Sequence, residues 1–240
     1  GILSFRYVAE PWSHWLPIDD AGVDPLEYDQ VESYLHRREQ RGDERAQATI
    51  SSGFHDENGR LQYRSTDAPW CRGSNGCAVF TVNPDPDIPD AFYPLNKAFL
   101  EWGDAEHDTY RATGLDGEYI DSYLGVATAL DHRRAHFAAA DTPLVFRTRD
   151  GRVGVPQVFA TTEFARWLTT DVHETLGKLT MANGILSDVP WGADLFDFMG
   201  TETNWLSGGR FAPESDARLL YRRTLAYRRP GSLRSAISTM

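Results

Sequence analysis

Long apolar runs, nucleotide-binding glycine motifs and an excess of basic residues are all missing from this 240-residue chain. Because no stretch of 18 or more apolar residues occurs, we expect no membrane-spanning helix. The net charge of -11 argues against nucleic acid and anionic membranes as partners. GxGxxG, Walker A and GxSxG motifs are absent, which disfavours dinucleotide, nucleotide and serine-hydrolase chemistry. We therefore predict no organic or redox cofactor.

Cysteine is scarce, since the chain contains only Cys71 and Cys77, in the segment CRGSNGC. Two thiols at this spacing do not make a zinc site by themselves. They either close a short disulfide, which would favour a secreted or extracellular protein, or remain free thiols. The chain starts at Gly1 rather than Met, and we expect further sequence at both ends.

Five short segments have the composition of buried strands, at residues 2–10, 77–83, 117–122, 178–184 and 195–202. Their apolar runs are nearly continuous, which is typical of parallel strands covered on both faces. Segments compatible with helices lie at 25–46, 90–112, 124–139, 161–176 and 214–227. Alternation of strands and helices predicts a parallel α/β fold.

Polar side chains end every one of these predicted strands. They are Glu10, Asn83 with Asp85, Asp121, Asn183 and Glu202. In a (β/α)8 TIM barrel, the catalytic groups come from the carboxyl ends of several different strands. We therefore predict a TIM barrel, partial or irregular because fewer than eight strands are recognisable. A single catalytic domain would span 1–240.

The stretch of residues 17–76 is too long for a simple connection between two parallel strands. We expect it to form a long excursion over the barrel mouth. Within it, residues 55–64 are compatible with a hairpin that turns at Asn58 and Gly59, because Asn-Gly is a favoured pair for tight hairpin turns.

Tryptophans lie beside two of the strand-end acids, because Trp12 and Trp15 follow Glu10 and Trp205 follows Glu202. Flat apolar rings next to carboxylates and amides suit a sugar, whose C–H face stacks and whose hydroxyls need polar partners. We expect an oligosaccharide or polysaccharide substrate. The predicted substrate-binding residues are Glu10, Trp12, Trp15, Asn83, Asp85, Asn183 and Trp205.

The segment GLDGEYIDSYLG, which contains Asp121, resembles the fourth-strand segment of TIM-barrel glycoside hydrolases. The likeness covers about residues 77–205, and the strand ending at Glu202 is similar to the acid-bearing strands of such enzymes. The resemblance implies hydrolysis of a glycosidic bond by two carboxyl groups. Asp121 would be the nucleophile or base, and Glu202 the general acid.

Two other interpretations stay open. A barrel without catalytic activity would bind a saccharide or a protein partner through the same residues. A metal-dependent hydrolase is the other, since His132 and His136 are four residues apart, a spacing that can bind metal. Separately, the acids Asp85, Asp87 and Asp90 could form a calcium loop. We favour a solvated helix face for the two histidines and a rigid, proline-rich turn for the acids.

Overall fold

The computed structural model describes residues 2–8, 10–89, 95–125, 128–184, 192, 194–201, 206–213, 215–217, 220 and 237–239. Within them the strands are β1 (Phe5–Val8), β2 (Ser13–Pro17), β3 (Tyr63–Thr66), β4 (Cys77–Thr81), β5 (Gly117–Ile120), β6 (Leu130–Asp131), β7 (Val145–Phe146), β8 (Val153–Pro156), β9 (Leu179–Asn183), β10 (Phe198–Thr201), β11 (Leu206–Ser207), β12 (Arg210–Phe211) and β13 (Ile237–Thr239). The helices are α1 (Tyr28–Glu39), α2 (Glu44–Ser52), α3 (Lys97–Glu101), α4 (Asp104–Ala112) and α5 (Gln157–Glu174), with a 3-10 turn at Arg134–His136. None of the described helices has the length and hydropathy needed to cross a bilayer.

The chain divides into two compact units, each built from separate stretches of sequence. Unit 1 comprises residues 1–10, 104–124 and 165–240, and unit 2 comprises residues 11–103 and 125–164. The last boundary between them falls inside α5, between Phe164 and Ala165.

A five-stranded parallel sheet forms the centre of unit 1, in the order β1-β5-β9-β10-β13. All four neighbouring pairs are parallel, and Val8, Ile120 and Ala182 lie side by side in register. The carboxyl ends of these strands therefore meet at one edge of the sheet. In open α/β sheets, ligands bind outside this edge.

The two faces of this sheet differ in chemistry because successive strand residues point to opposite faces. On one face, Arg6 donates to the buried carboxylate of Glu118, with Nη2 2.8 Å from Oε1, and Tyr110 donates to the same carboxylate. On the other face, the rings of Tyr7 and Tyr119 meet edge to face with centroids 5.6 Å apart. The same alternation places Asp121, two residues after Tyr119, on the tyrosine face.

Unit 2 packs helices against an antiparallel sheet in the order β2-β4-β3. Its core includes Leu16, Ile18, Val31, Leu35, Ala78 and Phe80, all nearly inaccessible to solvent. A second antiparallel sheet, β6-β8-β7, belongs to the same unit. Cys71 and Cys77 form a disulfide, so the thiols left open by the sequence are paired.

The predicted TIM barrel is wrong. The described strands form one five-stranded parallel sheet with a linear strand order, plus antiparallel sheets, which together do not fit an eight-stranded (β/α)8 barrel. The segment 77–83 misled the prediction, because β4 is central in an antiparallel sheet and buried on both faces. A continuous apolar run reports burial and does not report the direction of the neighbouring strands. Residues 17–76 therefore cover no barrel mouth and instead contribute α1, α2 and β3 to unit 2.

The helix predicted for residues 124–139 is also wrong in the part of that segment that the structure describes. Residues 130–131 form β6, and only a 3-10 turn follows. His136 is buried rather than solvated, because its Nδ1 pairs with the buried carboxylate of Asp131 and its Nε2 lies 2.9 Å from the carbonyl oxygen of Ser51. Through Ser51, the turn contacts a segment that is distant in the sequence. Local hydrophobic periodicity does not reveal such a contact.

Candidate active site at the edge of the parallel sheet

Asp121 lies at the carboxyl edge of the parallel sheet in unit 1, directly after β5. Its Oδ1 accepts hydrogen bonds from Asn183 Nδ2 at 2.9 Å, from the Tyr119 hydroxyl at 3.2 Å and from the Ser122 backbone amide at 2.9 Å. Its Oδ2 accepts one from the Tyr7 hydroxyl at 2.9 Å. Three neighbouring strands, β1, β5 and β9, thus hold a single carboxyl group in place.

These hydrogen bonds keep Asp121 ionised. Partial burial by itself would raise the pKa of Asp121, but the bonds from Asn183, Tyr7, Ser122 and Tyr119 outweigh burial and lower the pKa below its ordinary value. At neutral pH, the group is therefore a carboxylate. It suits the role of a nucleophile, base or electrostatic stabiliser, and it does not suit the role of a general acid.

The backbone next to Asp121 adopts an unusual conformation. Ser122 has a φ of 48°, which lies in the left-handed region of backbone conformation. Residues other than glycine rarely adopt this conformation. Opposite it, Gly184 has a φ of 79°, and a Cβ there would lie 3.4 Å from the Ser122 Cα. Strained positions of this kind cluster at functional sites. In this conformation the Ser122 amide donates to the Asp121 carboxylate.

Of the residues predicted from the sequence, the structure brings Asp121 and Asn183 into direct contact. Glu10 belongs to the same unit and lies two residues past the end of β1, the strand paired with β5. Glu202 and Trp205 lie outside the described residues.

The predicted tryptophans Trp12 and Trp15 belong to unit 2 instead. Trp12 is only 6% exposed, and its indole lies so close to Gly125 that a Cβ at that position would clash with the ring. Trp15 lies 6.1 Å from the ring of Trp70, which is 69% exposed, and the Arg64 guanidinium stacks over Trp15 at 5.6 Å. Trp12 is therefore a packing residue, whereas Trp15 belongs to a half-exposed aromatic surface.

Asn83 and Asp85 form a buried polar cluster of unit 2 with Glu163. Asn83 Oδ1 accepts from the Asp85 amide at 3.0 Å, and Thr142 donates its amide to Glu163 Oε1 at 2.7 Å. Burial and the adjacent Glu163 carboxyl raise the pKa of Asp85 to about 8. Asp85 Oδ2 and Glu163 Oε2 have no other hydrogen-bond partner among the described residues. A proton held between the two carboxyl groups would satisfy both oxygens.

The sequence pattern did not single out Tyr7 and Tyr119, although a signal for both was present. Tyr119 precedes Asp121 by two residues, so a strand places both side chains on one face. Tyr7 is the register partner of Tyr119 on the neighbouring strand. Glu163 was also missed, and its sequence position carries no signal, because only the fold brings it to Asp85.

No group of three or more histidine, cysteine, aspartate or glutamate side chains in the described residues is arranged to hold a metal ion. His132 in particular uses its Nδ1 to contact the carbonyl oxygen of Val153 at 2.8 Å. Comparison of the chain with known protein families, with curated proteins and with solved structures finds no match.

Proposed function

We propose that the chain acts on carbohydrate and hydrolyses a glycosidic bond with Asp121 as its ionised carboxylate. The observation that carries this proposal is the hydrogen-bonded Asp121 at the carboxyl edge of a parallel sheet. Glycoside hydrolysis needs one carboxylate that stays ionised at neutral pH, to act as nucleophile or as base.

The two oxygens of Asp121 are not equivalent, which supports a chemical role for one of them. Oδ1 accepts three hydrogen bonds, so its lone pairs are occupied. Oδ2 accepts one bond in the described part of the chain, from Tyr7, and keeps a lone pair for a reacting carbon or a water. Tyr7 would orient this oxygen without protonating it.

Aromatic surface next to the carboxylate supports a sugar as the substrate. Tyr7 is 60% exposed, and it contributes both a flat ring and a hydroxyl at Asp121. A ring of this kind can stack on the C–H face of a pyranose while its polar end binds a hydroxyl. Asn183 is buried, and its amide is engaged with Asp121 and with the Gly184 backbone amide, so it orients the carboxylate.

The general acid of the proposed reaction remains the one predicted from the sequence, Glu202. Because Asp121 is held as an anion, protonation of the leaving group has to come from a different residue. Glu10, two residues past β1, would contribute a further carboxyl group that binds a sugar hydroxyl.

A library of aryl glycosides and oligosaccharides tests the proposal through product release from the purified chain. We expect Asp121→Asn to lower kcat by about a thousandfold or more on any substrate found, since it removes the negative charge and keeps the shape. Glu202→Gln should also lower kcat. Azide or formate should restore part of the activity of either variant. Asp108→Asn is the matched control, because this acid of unit 1 is exposed and, among the described residues, pairs with the nearby Arg111 alone.

Two results would contradict the proposal. Unchanged turnover in Asp121→Asn would show that this carboxylate takes no part in the reaction. Saccharide binding that requires Asp121, with no turnover of any glycoside, would instead support the alternative of a non-catalytic carbohydrate-binding protein.

A further inference from the structure

A cavity of about 670 Å3 lies in unit 2, beside the hairpin that turns at Asn58 and Gly59. Basic side chains dominate its walls, namely Arg133, Arg134, Arg152, His55 and His132. A second cavity of about 570 Å3 shares Asp56, Glu57 and His132 with it and is also lined by Tyr28 and Tyr63. Volumes in this range are typical of sites for small organic ligands.

This concentration of arginine is unexpected on a chain with 35 acidic and 24 basic residues. Two acids, Asp56 and Glu57, also line the cavity and offset part of this charge, against three arginines. Asp56 Oδ1 accepts from the amides of Asn58 at 2.8 Å and Arg60 at 2.9 Å. Glu57 pairs with Arg147 at 3.1 Å and with Arg149 at 3.3 Å. The three arginines of the cavity therefore leave an excess of positive charge.

Most of the cationic groups are held in place before any ligand arrives. Arg133 Nη1 donates to the carbonyl oxygens of Ile50 at 2.7 Å and Ser51 at 2.9 Å. Arg152 Nη1 donates to the carbonyl oxygen of Glu57, and its Nε lies 3.6 Å from Asp150 Oδ2. Side chains fixed in this way lose little conformational entropy when they bind a ligand.

Arg134 differs from these residues because it is exposed in the cavity wall, and no described residue forms a hydrogen bond or an ion pair with its guanidinium. Its five N–H donors can therefore all be used by a ligand. A planar guanidinium matches the geometry of a carboxylate or a phosphate and binds either through two parallel hydrogen bonds.

Positive charge in this cavity is costly to the free protein. Burial lowers the pKa of Arg133, against the attraction of Asp131. Burial also lowers the pKa of His55, and repulsion from Arg133 lowers it further. A bound anion would offset this penalty for Arg133 and would favour the protonated form of His55, which favours an anionic ligand over a neutral one.

We propose that this cavity binds a small organic anion carrying a carboxylate or a phosphate group, through Arg133, Arg134 and Arg152. The Phe137 ring in the cavity wall would contact the apolar part of the ligand. The proposal concerns unit 2 alone and does not rest on the function proposed for Asp121.

Isothermal titration calorimetry with glucuronate, glucose 6-phosphate, inorganic phosphate and glucose tests this inference. We expect at least one of the anions to bind and glucose to bind far more weakly or not at all. Binding of glucuronate alone would assign a carboxylate ligand, and binding of glucose 6-phosphate or inorganic phosphate would assign a phosphate.

Arg134→Gln and Arg152→Gln should each weaken binding of that anion by about tenfold or more, since each removes a charge-assisted contact. Arg41→Gln is the matched control, because it removes the same charge from an exposed position in the same unit. The affinity of this control should stay within about twofold of the wild type. The proposal is wrong if no anion binds with a Kd below about 10 mM. It is also wrong if glucose binds equally well or if both cavity variants bind as the wild type does.

Discussion

Asp85→Asn should remove a pH dependence of stability that the buried acid pair imposes on unit 2. Asp85 is 2% exposed and Glu163 is 8% exposed, and each has one oxygen with no other partner among the described residues. Burial and the neighbouring Glu163 raise the pKa of Asp85 from its ordinary value of 3.8 to about 8. The folded protein therefore keeps a proton that the unfolded chain releases above about pH 4.

The sign of the effect follows from proton counting. Between about pH 4 and pH 8, the folded state binds more protons than the unfolded state, so the free energy of unfolding falls as the pH rises. At about 1.36 kcal/mol per unit, roughly three units from about pH 4 to pH 7 set an upper bound of about 4 kcal/mol. We expect about 2 kcal/mol, because local opening hydrates the ionised carboxylate and reduces its cost.

Urea unfolding followed by tryptophan fluorescence, at several pH values between about 4 and 7.5, measures this effect. In Asp85→Asn, the new amide keeps the shape of the carboxyl group and can donate to Glu163 without titrating. The stability of this variant relative to wild type should therefore rise with pH, by about 2 kcal/mol over the range.

Asp67→Asn is the control for this experiment, because it removes an acid from an exposed position of the same unit that does not act on Asp85. Its stability relative to wild type should stay constant within about 0.5 kcal/mol. If Asp85→Asn and wild type show the same pH dependence, the two carboxyl groups do not share a proton and the reasoning fails.

Three further predictions concern single contacts. Tyr7→Phe should raise the pKa of Asp121 by up to about one unit, since it removes one hydrogen bond to the carboxylate. A carbon-13 titration of the Asp121 carboxyl measures this pKa, and an unchanged midpoint would contradict the prediction. Ser122→Gly should stabilise the protein by about 0.5–1 kcal/mol in urea unfolding, because glycine tolerates the φ of 48°; a loss of stability would show that the Ser122 side chain contributes more than the backbone strain costs. Replacing both Cys71 and Cys77 by serine should lower the free energy of unfolding by about 2 kcal/mol, because the disulfide no longer reduces the entropy of the unfolded chain by closing this short loop. A melting temperature equal to that of the wild type would refute this prediction.

Local sequence pattern is sufficient for several elements of the fold. Strands β1, β5, β9 and β10 fall within segments whose apolar runs predict strands. The polar residues at the ends of two of them, Asp121 and Asn183, lie in contact, as expected where parallel strands end at one edge. The turn at Asn58 and Gly59 is predicted as well, from turn chemistry that depends on adjacent residues alone.

Strand direction and strand partners cannot be predicted in the same way. The run at β4 is as apolar as that of a parallel strand, because a central antiparallel strand covered on both faces experiences the same burial. The segment around His136 has helix-compatible composition, but a buried contact with Asp131 holds it as a 3-10 turn. In both segments, tertiary contacts override local propensity.

The sequence by itself determined which segments are buried, where the chain turns, and which strand ends carry the polar side chains Asp121 and Asn183. Only the tertiary structure decided that Tyr7 orients Asp121, that Glu163 raises the pKa of Asp85, and that the arginines around Arg134 meet in one cavity. The physical reason is the range of the interactions concerned. Periodicity and turn chemistry act between neighbours in the chain, whereas pKa values, charge clusters and cavities depend on residues that only folding brings together.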